Sequence, residues 1–168
     1  MLIQQNIDGS NFFNRSWAEF KVGFGNSSGN FWLGNERLSQ LTQQGRYKLR
    51  FDLQEIGTNR WYWAEYSTFR VEDETYNYRL NVSGYRSNTG YDAFGYSNGM
   101  MFTTYDRDND MSLSGFNCAV YNGGGFWYKS CAYCGVNAVR VGGSLYFRWW
   151  DGSRNIPLQT SRMWLKCL

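Results

Sequence analysis

The sequence of 168 residues contains no histidine and a single proline. The lack of histidine excludes Ser-His-Asp and Cys-His catalysis and every metal site that uses imidazole. Basic residues are scattered and the net charge is only +3, so we expect no nucleic-acid groove. No apolar stretch approaches the ~20 residues of a membrane span, and the opening "MLIQQNIDGS" does not read as a signal peptide. Since no other catalytic constellation stands out, we predict that the chain is not an enzyme.

What the sequence does contain is aromatic residues and glycine. Aromatic side chains make up 20% of the chain, with 8 Trp, 13 Tyr and 19 Gly. This mixture is typical of a β-rich domain with long loops and a core of bulky rings. The length fits a single domain with a substantial core.

Strict alternation of apolar and polar residues predicts strands. In "YKLRFDLQ", residues 47–54, every second side chain is apolar, as in a half-buried strand. Segments 60–71 and 76–82 continue this pattern, so we predict three successive strands in an antiparallel meander. Residues 162–167 predict one further strand at the end of the chain.

Helices are predicted to be short. In "FNRSWAEFKVGFG", Phe13, Trp17 and Phe20 recur at helical spacing, and the glycines that follow would end the helix. "GNERLSQLTQQG" predicts a second helix, with Asn35 as its N-cap and Gly45 as its terminator. From residue 83 onward the regular patterns give way to a long irregular segment, which is usually functional.

The segment "DRDND" places carboxylates at every second position. Asp106, Asp108 and Asp110 alternate with Arg107 and Asn109, and carboxylates this close repel one another unless a positive charge lies among them. Alternating acids in an irregular loop suit Ca²⁺, which takes six to eight oxygen ligands. The spacing is not that of an EF-hand. The alternative is a solvated acidic turn.

Four cysteines allow more than one arrangement. Cys118 and Cys131 lie thirteen residues apart across a glycine turn, where a disulfide would close a short loop. "CAYC", ending at Cys134, raises a zinc site made from all four cysteines including Cys167. Zinc sites usually offer two close pairs and this chain has one, so zinc is disfavoured. Cys134 and Cys167 are left to pair with each other, to pair with another chain, or to stay free.

Three N-glycosylation sequons occur, and they matter only in a secreted protein. They lie at Asn14, Asn26 and Asn81.

Several of these segments carry a family resemblance. "IQQNIDGSNFFNRSWAEFKVGFGNSSGNFWLGNERLSQLTQQGRYKLRFDL", "FTTYDRDND" with the "NCA" after it, and "GGFWYKSC" follow one another in order. Together they resemble the fibrinogen C-terminal domain, the module of fibrinogen chains, ficolins, tachylectins, angiopoietins and tenascins. The resemblance covers nearly the whole chain. It lacks the family's N-terminal subdomain, which suggests a fragment or a start-site choice.

The resemblance implies a fold and a domain organisation. The fold would be α+β, with a central, mainly antiparallel twisted sheet, short flanking helices and a loop-rich lobe that binds calcium. Residues 1–168 would form one domain. Residues 1–82 and 160–168 would make its sheet subdomain, and 83–159 its calcium- and ligand-binding lobe.

The resemblance also assigns roles within "DRDND". In this family the loop holds a structural Ca²⁺. Asp108 and Asp110 would be carboxylate ligands, the carbonyls of Ser112 and Ser114 backbone ligands, and Asp106 an outer-shell group. The stretch "MSLSGFN" that follows is longer than the family's usual spacing.

Beside the calcium loop the family has a disulfide and a ligand pocket. The disulfide would be Cys118–Cys131, with a cis peptide before the second cysteine. In the lectin members the pocket accepts acetyl groups. Asn122, Ala132 and Ile156 replace residues that the family expects there. The pocket positions of this chain would be Tyr121, Asn122, Ser130, Cys131, Ala132 and Ile156.

The implied function is that of a secreted, calcium-stabilised recognition domain. The first hypothesis is a lectin-like binder of glycans or acetylated groups in innate immunity. The alternative is a protein-interaction module that binds a receptor or matrix protein, in signalling or in the extracellular matrix. Oligomers would form through segments that this chain does not contain.

Overall fold

The computed structural model describes residues 1–140 and 146–168. The described residues form three α-helices and ten strands. The helices are α1 (Trp17–Val22), α2 (Asn35–Gln44) and α3 (Cys118–Asn122). The strands are β1 (Leu2–Asn6), β2 (Phe24–Gly25), β3 (Phe31–Trp32), β4 (Tyr47–Glu55), β5 (Trp61–Val71), β6 (Leu80–Ser87), β7 (Phe102–Thr103), β8 (Phe126–Trp127), β9 (Arg148–Trp150) and β10 (Asn155–Cys167).

One large antiparallel sheet organises the described residues. Its strand order is β2-β3-β1-β10-β4-β5-β6, and β9 pairs with the first part of β10. β7 and β8 form a separate two-stranded ribbon. The mixed α+β class predicted from the sequence is therefore confirmed.

The predicted meander is present, with one shifted boundary. β4 and β5 fall where alternation predicts them, and Leu49, Phe51 and Leu53 point into the core. The third strand is β6, which begins at Leu80 rather than at 76. It starts late because a 3-10 turn ends at Tyr76 and is followed by two residues in the left-handed conformation.

The final strand is longer than predicted. Alternation in its last residues is confirmed, since Met163 and Leu165 are buried. β10 already begins at Asn155, however, and its first half pairs with β9. The single proline, Pro157, lies in that half. Because proline has no N–H to donate within a sheet, its presence argues against a strand at this point in the sequence.

The first predicted helix is split in two. Phe13 belongs to a 3-10 turn, and α1 begins only after Ser16. Ser16 and Glu19 form a capping box, in which each side chain accepts from the other residue's backbone N–H. The helix ends at Gly23, as predicted.

The second helix has the predicted end and a different start. Gly45 terminates α2, whereas Gly34 occupies the N-cap position that we assigned to Asn35. Asn35 lies in the first turn and is buried, and its side-chain oxygen accepts a hydrogen bond from Trp32 Nε1 at 3.0 Å. The polar side chain thus serves the core rather than the helix end.

The core lies on one face of the large sheet and is built from rings. Phe102 and Trp127 meet edge to face at 5.1 Å, and Trp32 packs against both. Phe94 and Trp149 contact Phe51 of β4 from the loop-rich part of the chain. Rings from the sheet, the helices and the loop-rich segment therefore share one core.

The opposite face of the sheet, here called the outer sheet face, is exposed or half-buried. It is formed by Lys48, Arg50, Asp52, Trp61, Trp63, Glu65, Arg162, Trp164 and Lys166.

Candidate recognition site beside the disulfide

The acidic loop runs from β7 to α3 and is fixed first by Asn109. The Asn109 side chain donates to the carbonyl of Phe102 at 2.9 Å, and its backbone N–H donates to Thr103 Oγ1 at 3.0 Å. Both partners belong to β7. The loop is therefore held to the two-stranded ribbon at its midpoint.

Asp110 is the central carboxylate of the loop. Its Oδ1 accepts from the backbone N–H of Ser112 and its Oδ2 from that of Cys118, both at 2.8 Å. Asp108 lies next to it and accepts from the backbone N–H of Asp110 at 3.2 Å. Partial burial, and then the charge of the Asp108 carboxylate, raise the pKa of Asp110 despite these two N–H donors.

Arg107 does not neutralise this pair. Its guanidinium lies 4.0 Å from the centre of the Trp17 ring and donates to the side chain of Asn77. It also reaches Glu74 at 4.0 Å. The ion pairs formed among residues 1–140 and 146–168 leave Asp108 and Asp110 without a cationic partner.

Asp106 performs a different task from the other two aspartates. Its Oδ1 accepts from the backbone N–H of Trp17 at 2.9 Å and from Thr104 Oγ1 at 2.7 Å. Trp17 is the first residue of α1, where backbone N–H groups lack intrahelical partners. Asp106 therefore joins the loop to a helix start.

The donor set contains two carboxylates and several backbone carbonyls. No group of three or more Asp, Glu, Cys or His side chains suited to a metal occurs in the part of the chain that the structure describes. Calcium accepts backbone carbonyls and water alongside one or two carboxylates. The adjacent carboxylates of Asp108 and Asp110, which have no ion-pair partner among the described residues, have the chemistry to hold such an ion.

A disulfide lies directly beside the acidic loop. Cys118 and Cys131 are joined, as predicted, and their Cα atoms lie 5.5 Å apart. The Ser130–Cys131 peptide bond is cis, as the resemblance implies. Zinc coordination by all four cysteines is incompatible with this pairing. Cys134 is buried and Cys167 is exposed, and both are free; burial raises the pKa of the Cys134 thiol.

Hydrogen bonds tie the loop to the segment just before the second cysteine. The N–H of Met111 donates to the carbonyl of Lys129 at 2.8 Å, and Ser112 Oγ donates to Ser130 Oγ at 3.2 Å. Asp110 holds the first cysteine by its backbone N–H. The acidic loop thus contacts the chain on both sides of the disulfide.

Two of the expected pocket positions do not reach the surface. Asn122 is buried, and its side chain donates to the carbonyl of Cys118 at 2.8 Å. Its own carbonyl accepts from the N–H of Val139. Ile156 is fully buried in β10, opposite Trp149. The Asn122 side chain bonds within α3 and that of Ile156 packs in the core. Their assignment to a ligand pocket stays a prediction.

The remaining pocket positions are at least partly accessible. Tyr121 and Ser130 are exposed, and Cys131 and Ala132 are half-buried. The carbonyl of Ala132 accepts from the Arg148 guanidinium at 3.2 Å. These residues surround the disulfide.

Exposed apolar residues are concentrated in the chain just before and after Cys118, and sequence reasoning found only Tyr121 among them. The rings of Phe116 and Tyr121 lie 5.3 Å apart, and Tyr121 meets Tyr146 edge to face at 5.0 Å. Leu113 is 86% exposed. Apolar residues within the otherwise polar "MSLSGFN" were the available signal. We call this cluster the apolar rim; it comprises Met111, Leu113, Phe116, Val120 and Tyr121.

The three sequon asparagines are exposed: Asn14, Asn26 and Asn81. Exposure allows glycosylation, which stays a prediction.

Comparison with known proteins decides the family. Residues 1–166 match the C-terminal globular domain of fibrinogen beta and gamma chains. The chain belongs to this family. Its members are binding and recognition modules rather than enzymes, and the fold is that of a fibrinogen-like globe.

Relatives and a solved structure agree with this assignment. The chain is 38% identical to Protein scabrous of Drosophila melanogaster over 99% of this chain and 20% of that protein. It is 43% identical to human Ficolin-3 over 82% of this chain and 45% of that protein. The fibrinogen-like globe domain of human ANGPTL2 superposes with a TM-score of 0.88 at 38% identity, covering 98% of this chain and 78% of that one. The chain therefore spans less than half the length of these two curated relatives.

Within the described residues, no helix has the length and apolar character needed to cross a bilayer.

Proposed function

We propose that this fibrinogen-like domain is an extracellular, calcium-stabilised recognition module whose ligand-binding surface surrounds the Cys118–Cys131 disulfide. The observation that carries the proposal is the adjacent pair of carboxylates, Asp108 and Asp110, which has no ion-pair partner among the described residues and of which Asp110 accepts from the backbone N–H of Cys118. The disulfide and the exposed sequons support an extracellular setting.

Calcium would be held by the carboxylates of Asp108 and Asp110 and the carbonyls of Ser112 and Ser114. A bound divalent ion offsets the repulsion between the two carboxylates. Asp110 transmits this order to Cys118, and Ser112 transmits it to Ser130, through the hydrogen bonds that both already make. We assign the ion a structural role.

The apolar rim favours a protein partner as the ligand. Exposed apolar clusters rimmed by polar groups commonly mark protein-interaction sites. Asn122 and Ile156, two of the positions expected to line an acetyl pocket, are buried, which supports a protein ligand more than an acetylated one. The protein-interaction role, in signalling or in the extracellular matrix, is therefore our first candidate.

A glycan or acetylated ligand is the second candidate. The exposed Tyr121 ring, packed between Phe116 and Tyr146, offers a stacking surface beside the disulfide. Similarity to Ficolin-3 is consistent with a lectin-like binder in innate immunity.

The deciding experiment passes the oxidised protein over acetylated and non-acetylated sugar resins, in calcium and then in chelator. We expect no selective retention on the acetylated resin, together with a melting temperature that rises with calcium. Selective retention that chelator abolishes would establish the lectin role instead. A melting temperature that is indifferent to calcium would refute the calcium site itself.

A protein partner is tested through the apolar rim. Leu113→Ser with Val120→Ser should abolish capture of the partner found by the unmodified domain while the melting temperature stays constant, because both side chains are exposed. The matched control is Val22→Ser with Ile7→Ser, two exposed apolar residues elsewhere. Equal loss in both variants would argue against the rim.

A further inference from the structure

The outer sheet face points away from the core, yet it carries three tryptophans. Trp61 is 46% exposed, and Trp63 and Trp164 are half-buried. Antiparallel sheets usually present polar residues on a solvated face. Large aromatic groups in such a position indicate a surface that contacts something else.

Arginines hold two of these rings in place. The Arg50 guanidinium carbon lies 5.3 Å from the centre of the Trp63 ring, and that of Arg162 lies 5.8 Å from the Trp61 ring. Arg162 also donates to the side chain of Gln5 at 2.8 Å. These contacts orient the rings before a ligand binds, so binding costs little further conformational entropy.

Positive charge on the outer sheet face is concentrated at one end. Arg50 forms ion pairs with both acidic residues of this face, Asp52 at 2.8 Å and Glu65 at 2.9 Å. Lys48 and Lys166 are direct cross-strand partners, both exposed, and neither has an ion pair with any described residue. Like charges placed opposite each other destabilise a sheet. A bound anion would offset the repulsion between these two lysines.

A hollow continues the positive end. It has a volume of about 520 Å³ and lies between the end of α2 and the second half of β5, lined in part by Arg46, Ser67, Arg70 and Leu168. Arg46 and Arg70 form no ion pair within residues 1–140 and 146–168. They add two cationic side chains at the end of the sheet where Lys48 and Lys166 pair.

We propose that the outer sheet face binds an acidic polysaccharide, with sulfate or carboxylate groups at Lys48, Lys166 and the Arg46–Arg70 hollow. Its sugar rings would stack on Trp61 and Trp63. From Lys48 to the position opposite Trp61 is about 20 Å at the rise of a strand, so the ligand is an oligosaccharide rather than a single sugar.

Charge and shape together favour this occupant. The surplus charge is positive and requires an anionic partner. Flat, exposed rings that alternate with hydrogen-bonding groups suit sugar rings, which present an apolar face and a polar edge. A bilayer surface would supply the anion but would not need rings that are fixed by arginines.

The test uses a sulfated heparin oligosaccharide and isothermal titration at near-physiological salt. Lys48→Gln with Lys166→Gln should weaken binding about tenfold or more, since each lysine loses a charge-assisted contact. Trp61→Ala should weaken it several-fold without changing the net charge. The matched control is Arg15→Gln with Arg37→Gln, which removes the same charge from the helical side and should leave binding within about twofold.

Three results would overturn the proposal. The first is no binding of the oligosaccharide by the unmodified chain. The second is equal weakening in the lysine and control variants, which would reduce the effect to net charge. The third is anionic vesicles competing as well as heparin while Trp61→Ala binds normally. Melting temperatures check that all variants fold. The lysine variant should be at least as stable as the unmodified chain, because it removes the repulsion between Lys48 and Lys166. The control loses only a partly exposed ion pair between Arg15 and Glu19, which costs little. This site is separate from the disulfide surface, so its failure leaves the proposed function standing.

Discussion

At Asp110, two opposing demands meet in a single side chain. Both of its oxygens accept backbone N–H groups that shape the loop, which favours the ionised form. Burial and the adjacent Asp108 charge disfavour that form, and they prevail, because the pKa is raised. A cation bound beside this carboxylate should therefore have a large effect on its ionisation.

The first prediction separates two aspartates of the same loop. Asp110→Asn should abolish the rise in melting temperature that calcium produces. Asp106→Asn should lower stability by about 1 kcal/mol equally with and without calcium, because it weakens hydrogen bonds to Trp17 and Thr104. Thermal unfolding in calcium and in chelator checks both. Loss of the calcium effect in Asp106→Asn as well would place Asp106 at the ion.

The second prediction concerns pH in calcium-free buffer. Since the pKa of Asp110 is raised on folding, this group favours the folded state below its unfolded pKa, and the benefit is lost as the pH rises through the folded pKa. As the pH falls from about 7 to about 4, the wild-type protein should therefore gain stability relative to Asp110→Asn. Urea unfolding of both proteins measures the difference. A difference that does not change with pH would contradict the shift.

At the scale of elements, alternation predicts strands well and spacing predicts helices less well. β4 and β5 were legible because one face is buried and the other faces water. Phe13, Trp17 and Phe20 share helical spacing, yet only the last two lie in α1, since the Ser16–Glu19 capping box starts the helix between them. The burial of Asn122 and Ile156 depends on tertiary contacts to Val139 and Trp149, which no local pattern encodes.

The third prediction concerns the end of α1. Gly23 has φ +96° and a Cβ there would lie 2.5 Å from the carbonyl oxygen of Leu33. Gly57 has φ +86° with no atom within 4 Å of its Cβ position. Gly57→Ala should cost about 1–2 kcal/mol from conformation alone, and Gly23→Ala clearly more. Chemical denaturation of both variants measures this; equal costs would mean that β3 yields to the added methyl group.

At the scale of the whole molecule, the loop-rich part and the sheet are joined by rings that share one core. The single-domain organisation, with residues 83–159 as a lobe, stays a prediction; this range includes 141–145, which lie outside the described residues. The resemblance located the disulfide correctly from the motif alone. Three residues of the apolar rim, Met111, Leu113 and Phe116, could not be located in this way, since they lie in the stretch that departs from the family spacing.

The fourth prediction concerns the disulfide. Cys118→Ser with Cys131→Ser should lower the free energy of unfolding by about 3 kcal/mol, the value expected for a closed loop of this length. Calcium affinity should also fall, because the N–H of Cys118 helps to place Asp110. Cys167→Ser, at an exposed free cysteine, is the control and should change neither quantity. Unaltered calcium affinity in the double variant would separate the loop from the disulfide.

The position of β10 has a consequence for biosynthesis. This strand follows the other nine described strands along the chain, yet it lies at the middle of the sheet between β1 and β4. Until β10 emerges from the ribosome, those two strands present unpaired edges, which invite pairing with other chains. Closing the sheet joins strands from opposite ends of the chain, a pairing of high contact order and slow formation. We therefore expect the domain without β10 to aggregate more readily than the finished domain.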